Sequence, residues 1–286
     1  MRHMPISGHT RIFGLIGHPV RHSLSPAMYN ALFERFGIDA VYLAFEVEPD
    51  RAPEVAHIIR VMGLEGVNLT VPFKERLLDQ MNSISADAKS TGAINVILHR
   101  ADGLTGHNTD SEGFVRSLSE DNGPDLDGIT AVILGAGGAA RAVASGLLSK
   151  GARRIHLLNR TSARAKETAD ALLSCFPNAL ISVDSLTEDA FSERAKEARL
   201  VVNCTSGAAS ETISRFDPTL LASDASWVDI NYWMAAPPCQ NACKAAGVRF
   251  HDGLGMLAYQ GALAFELFTG QAVAGSEVKA LLAELQ

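Results

Sequence analysis

The sequence predicts a two-domain α/β protein, each domain built on a mainly parallel sheet. Strand-like apolar runs alternate with helix-like segments along the chain, the pattern of strand–helix–strand units. A stretch rich in turn formers, Glu120-Asp121-Asn122-Gly123-Pro124-Asp125, interrupts the alternation, and a second series follows it. The 286 residues are long for one compact domain and comfortable for two.

In the first series Arg11 to Ile16 reads as a strand. Ser25 to Phe36 reads as a helix with Pro26 at its first position, where a missing N–H costs nothing; Ser25 in isolation reads as its N-cap. Ala40 to Val47 is a strand, Arg51 to Met62 a helix, Val67 to Val71 a strand and Ala93 to His99 another. Pro72 breaks the chain and a helix is expected to start at Lys74. A lysine there opposes the positive end of the helix dipole, a local conflict that hints at function. In the second series the strands are Ile129 to Leu134, Arg154 to Leu158, Leu180 to Val183, Leu200 to Asn203, Trp227 to Ile230 and Val248 to His251, with helical segments between them. Met256 to Phe268, apolar and alanine-rich, predicts a buried helix.

Hydrophobic residues at 47% and charged residues at 20% fit an ordinary folded enzyme. The net charge of −7 excludes non-specific nucleic-acid binding as an expectation, yet leaves room for a pocket that takes one phosphate. No apolar run approaches the ~20 residues of a membrane span. Met1 to Pro5 lead into no signal-type apolar core, so a cytoplasmic location is expected. Cys175, Cys204, Cys239 and Cys243 form no CxxC pair. Cys239 and Cys243 could share a helix face, but no histidine sits at zinc spacing, and no metal is expected.

The strongest local motif is Gly135-Ala136-Gly137-Gly138-Ala139-Ala140-Arg141, placed after the apolar strand Ala131-Val132-Ile133-Leu134 and opening a helix. In this strand–turn–helix setting Gly135 makes the tight turn, Gly137 lets backbone approach a pyrophosphate, and Ala140 permits helix–strand packing. The helix N-terminus offers N–H groups to the phosphates. The next strand ends at Asn159-Arg160-Thr161, where an NAD site carries an acidic residue for the ribose 2′-OH. A guanidinium clamps a 2′-phosphate instead, and Arg164 lies one turn further on, so NADP is the expected cofactor. The alternative leaves Arg160 and Arg164 as solvated surface cations.

Further clusters look chemical: Ser23-Leu24-Ser25-Pro26, then Asn68-Leu69-Thr70-Val71-Pro72-Phe73-Lys74, Gly92-Ala93-Ile94-Asn95, Asn108-Thr109-Asp110 and Gly253-Leu254-Gly255-Met256-Leu257-Ala258-Tyr259-Gln260. With the glycine turn and Asn159-Arg160-Thr161, their order resembles the shikimate dehydrogenase family over nearly the whole chain. The resemblance implies an N-terminal substrate domain of residues 1–110 plus 254–286 and a Rossmann-type NADP domain of residues 111–253. A cleft separates them in that family, and the C-terminal helices pack back on the first domain. It assigns Ser23 and Ser25 to a substrate carboxylate, and Thr70, Lys74, Asn95, Asp110, Tyr232 and Gln260 to the rest of the substrate. Lys74 and Asp110 match its catalytic pair. Its cofactor segments match Gly135, Ala136, Gly137, Gly138, Ala139, Asn159, Arg160, Thr161, Arg164, Ile230 and Gly253.

The implied activity is the NADPH-dependent, reversible reduction of 3-dehydroshikimate to shikimate in aromatic amino-acid biosynthesis. A quinate or aminoshikimate substrate and a non-catalytic NADP-binding sensor are the alternatives, and the oligomeric state, monomer or homodimer, is not legible. Four positions depart from the family's pattern. Val96 stands for a usual threonine, Ser111 for a glycine, Ala208 in a loop that usually holds Gly-Met, and Met234 for a proline.

Overall fold

The computed structural model of the chain describes residues 6–234 and 237–285, and the backbone alone of Ala208. Met1 to Pro5, read above for a leader, lie outside the described residues. The chain divides into two compact units, Met1–Thr109 with Ala258–Gln286, and Asp110–Leu257.

In the first unit β1 (Arg11–Gly17), β2 (Ala40–Glu46), β3 (Gly66–Leu69), β4 (Ser83–Ile84), β5 (Val96–Arg100) and β6 (Gly103–His107) form one sheet in the order β2-β1-β3-β5-β6-β4. β1 runs parallel to β2 and β3, while β5 is antiparallel to β3 and β6. Successive side chains of a strand face opposite sides, so β1 serves two cores. Ile16 joins Val55, Ile59, Phe73 and Leu77 on one side. On the other, Phe13 stacks against Phe33 of α1 (Ser25–Phe36) and against Phe268 of α10 (Leu254–Thr269), with ring centroids 5.4 and 5.1 Å apart. Gly66 leaves room for that packing, since a Cβ there would stand 2.6 Å from the Phe268 ring. α2 (Val55–Val61), α3 (Ala86–Thr91) and α11 (Gly275–Glu284) complete the unit's helices among the described residues.

Two sequence expectations need correction here. Arg51 to Met62 is not one helix: a 3-10 segment, Pro49–Glu54, precedes α2, because Pro53 cannot donate within a regular helix. Lys74 does not open a helix either. Residues 71–77 are turns, followed by the 3-10 segment Leu78–Gln80, so the dipole conflict expected at Lys74 does not arise.

The second unit opens with α4 (Asp110–Glu120) and holds a fully parallel sheet of β7 (Thr130–Leu134), β8 (Arg154–Asn159), β9 (Leu180–Ser185), β10 (Leu200–Asn203), β11 (Ser226–Asp229) and β12 (Arg249–His251). The order β12-β11-β10-β7-β8-β9 reverses between β7 and β10, the crevice where such sheets take ligands. The linking helices are α5 (Gly138–Ser149), α6 (Ser162–Cys175), α7 (Glu188–Ala195), α8 (Ser210–Ile213) and α9 (Gln240–Ala246). Apolar clusters fill both faces: Ile133, Ala140 and Leu147 with Phe114 on one, Leu134, Phe191 and Trp227 on the other.

Cys239 and Cys243 are buried free thiols whose pKa burial pushes up to about 12, so neither is poised as a thiolate. Among the described residues no helix is long and apolar enough to cross a membrane.

Candidate active site

In the first unit Ser23, Thr70, Lys74 and Asn95 lie outside the helices and strands, whereas Ser25 and Gln260 lie on helices. Ser25 is the first residue of α1 and is buried; Leu24, not Ser25, holds the N-cap position. The Ser23 hydroxyl accepts from the Ser25 backbone N–H at 3.2 Å, so Ser23 takes the capping task the sequence reading gave to Ser25. Thr70 follows β3 and packs its methyl on Gly17, where a Cβ would come within 2.2 Å of it. Lys74 is half-buried, and its carbonyl accepts from the Ile94 N–H at 2.8 Å, tying its turn to the Gly92–Asn95 segment.

Asn95 and Gln260 come together. Asn95 Nδ2 donates to Gln260 Oε1 at 3.2 Å and to Thr109 Oγ1 at 2.9 Å. The Thr109 N–H donates to Asn95 Oδ1 at 2.8 Å, and its hydroxyl reaches Gln260 Oε1 at 3.5 Å. All three are buried. Beneath them Tyr42 donates to Asn68 Oδ1 at 2.8 Å, and Asn68 Nδ2 donates to the Asn95 carbonyl at 3.3 Å. Sequence reasoning missed Tyr42, Asn68 and Thr109 as supports. Asn68 and Thr109 lie inside quoted motifs, which was the available signal.

Asp110 and Tyr232 belong to the second unit. Asp110 is the first residue of α4 and buried; Tyr232 follows β11. The cofactor candidates gather at the C-terminal ends of the strands. Gly135 has φ +107°, and a Cβ on it would lie 3.2 Å from the Cys204 backbone across the strand-order reversal. Gly137 is extended, and a Cβ there would meet only the Arg164 guanidinium, at 3.5 Å. Arg164 donates through Nε to the Ala136 carbonyl at 3.2 Å, which Thr168 Oγ1 also reaches at 3.0 Å. The guanidinium therefore rests on the glycine turn that opens α5, with Gly138 and Ala139 in the first turn of that helix. Asn159 Nδ2 donates to the Thr161 carbonyl at 2.9 Å, shaping the turn into α6, and Arg160 there is exposed. A Cβ on Gly253 would come within 2.3 Å of the Ile230 carbonyl, so these two distant segments are in close backbone contact. The turn geometry and the cation above it suit a pyrophosphate and an added phosphate.

Residues 15–97 match the shikimate dehydrogenase substrate binding domain, residues 117–223 the shikimate / quinate 5-dehydrogenase family, and residues 253–279 the shikimate 5′-dehydrogenase C-terminal domain. A shikimate dehydrogenase (NADP(+)) of Alkaliphilus metalliredigens is 37% identical over 269 residues, covering 93% of this chain and 94% of the relative. A shikimate 5-dehydrogenase of Listeria monocytogenes, solved with shikimate and NAD, superposes with a TM-score of 0.86 at 30% identity, covering 98% of both chains. The Thermus thermophilus enzyme, solved with NADP(H) and shikimate, gives 0.81 at 34% identity, covering 96% of this chain and all of that one.

Proposed function

The chain belongs to the shikimate dehydrogenase family, and we propose that it reversibly reduces 3-dehydroshikimate to shikimate with NADPH. The observation that carries this reading is the buried amide pair of Asn95 and Gln260. Neutral amides both donate and accept, which suits the hydroxyls of a cyclitol better than an ion. Ser23 and Ser25 donate hydroxyl hydrogen bonds to the substrate carboxylate, and Thr70 lines the same end.

The second unit holds the cofactor. Gly135 to Ala139 take the pyrophosphate on the N-terminus of α5, and Arg164 with Arg160, Asn159 and Thr161 takes the adenosine 2′-phosphate. Ile230 and Gly253 serve the other half. When bound, NADPH supplies the hydride. Lys74 donates the proton to the substrate oxygen in reduction and accepts it in oxidation, with Asp110 as the second member of the catalytic pair. Tyr232 adds a hydroxyl on the substrate side.

Steady-state kinetics on Lys74→Met test this assignment. A proton donor contributes roughly 10²–10⁴-fold, so kcat should fall by that factor while shikimate still binds. A raised KM with near-normal kcat would make Lys74 a binding cation only. The same assay run with shikimate and quinate, each with NADP and NAD, should show the highest kcat/KM for shikimate with NADP. Equal efficiency with NAD would remove the role given to Arg160 and Arg164.

A further inference from the structure

The loop that leaves β11 is fixed at its base. Asp229 accepts from Asn203 Nδ2 at 2.8 Å, from the Asn231 N–H at 3.0 Å and from Asn231 Nδ2 at 2.7 Å. Gly253 presses on the Ile230 carbonyl from outside the loop. This base carries Trp233, whose ring stands edge-on to Tyr232 with centroids 5.2 Å apart at 84°. Trp233 is 44% exposed, whereas Trp227, on the strand that feeds the loop, is fully buried. A scattered surface apolar residue is ordinary. This one stands at the C-terminal ends of parallel strands, on the β10–β11 side of the order reversal. A dinucleotide lies across that reversal with one half on each side. Asn159 ends β8 and Arg160 to Arg164 follow it; in the NADP reading they take the adenosine half, so the nicotinamide half falls to the side of Trp233. Trp233 also adjoins Met234, one of the departures from the family's pattern.

We infer that Trp233 is a cofactor-contacting residue that presents its indole to the nicotinamide of NADP and favours the oxidised form. The inference rests on the NADP reading above. Oxidised nicotinamide is a cationic ring and reduced nicotinamide a neutral one. An indole face attracts a cation through its quadrupole, most strongly for tryptophan among the aromatic residues. The attraction is present for NADP+ and absent for NADPH, leaving only apolar contact common to both. Trp233 therefore shifts the balance of bound cofactor toward NADP+.

Calorimetric titration of the full chain with NADP+, NADPH and adenosine 2′,5′-bisphosphate tests this, alongside the W233L and W233F variants. W233L should bind NADP+ on the order of 3- to 30-fold more weakly, NADPH by a clearly smaller factor, and the bisphosphate unchanged. W233F, which keeps a weaker aromatic face, should fall between. Unchanged NADP+ affinity in W233L, or an equal loss for NADPH or the bisphosphate, would overturn the inference and leave the NADP reading standing. An unmodified chain that binds neither NADP+ nor the bisphosphate would overturn both.

Discussion

Thr109 meets the Asn95 side-chain amide at both ends, with its N–H on Oδ1 and its hydroxyl under Nδ2. Replacing it with valine removes one of the acceptors of the buried Asn95 amide. Such a loss costs about 1–3 kcal/mol, so Thr109→Val should lower the urea midpoint and weaken shikimate binding while NADP affinity holds. Intact shikimate affinity would show that Asn95 needs no such support. His156 illustrates a different residue-level effect. It is buried between Ser182, 2.6 Å from Nδ1, and Glu197, 3.0 Å from Nε2. Burial holds its pKa below the ordinary 6.5, outweighing the upward pull of Glu197, and burial acts on His107 in the same direction. The folded chain thus resists protons that the unfolded chain accepts, so stability should fall as pH drops through the unfolded value toward the lower folded one. Urea titrations at pH 7.5 and 5.5 should show that loss, and His156→Gln should flatten it. The candidate site residues were proposed from the motifs. Their supports were not, because Thr109 and Asn68 act through neighbours that only folding supplies.

The β7–α5 turn separates two kinds of glycine. Gly135 combines φ +107° with backbone neighbours at 3.2 Å, so Gly135→Ala strains the turn itself. Gly137 has an ordinary φ and meets only the Arg164 guanidinium. Gly137→Ala should leave the melting temperature within about 2 °C and yet sharply weaken NADP binding, because its methyl occupies the approach to the pyrophosphate. Gly135→Ala should lower both. If Gly137→Ala bound NADP normally, the pyrophosphate would not lie over that turn. At this scale the sequence was most legible in the second unit. Its inner strands β7, β8, β10 and β11, almost wholly buried, read as apolar runs, whereas the edge strands β9 and β12 are partly exposed. β6 escaped notice because Gly103, Thr105 and Gly106 dilute its pattern. α4 escaped because Gly113 and its serines lower helix propensity, although Phe114, Val115 and Leu118 give it an apolar stripe.

At the scale of the molecule the two units differ in continuity. The second is one stretch of chain, whereas the first joins Met1–Thr109 to Ala258–Gln286. No local pattern reveals such a return; periodicity located the apolar helix at Met256 to Phe268 but not what it packs on, and only the family resemblance implied that. The aromatic core shows why the return is needed. Phe268 packs on Phe13 and Tyr29 at 5.1 and 5.7 Å, and Phe265 on Phe33 at 5.9 Å, all but Phe265 and Phe268 coming from the N-terminal stretch. The N-terminal sheet therefore cannot close its core until the last helices are made. Truncating a buried phenylalanine costs about 3–5 kcal/mol. Phe268→Ala should place that loss on the first unit, whose aromatic core the ring completes. Shikimate binding should then disappear at lower urea than NADP binding, two transitions where the unmodified chain shows them closer together. A variant in which both binding activities vanish at one shared, lowered midpoint would mean that the units unfold as a single cooperative body, and the division of stability argued from this core would fail.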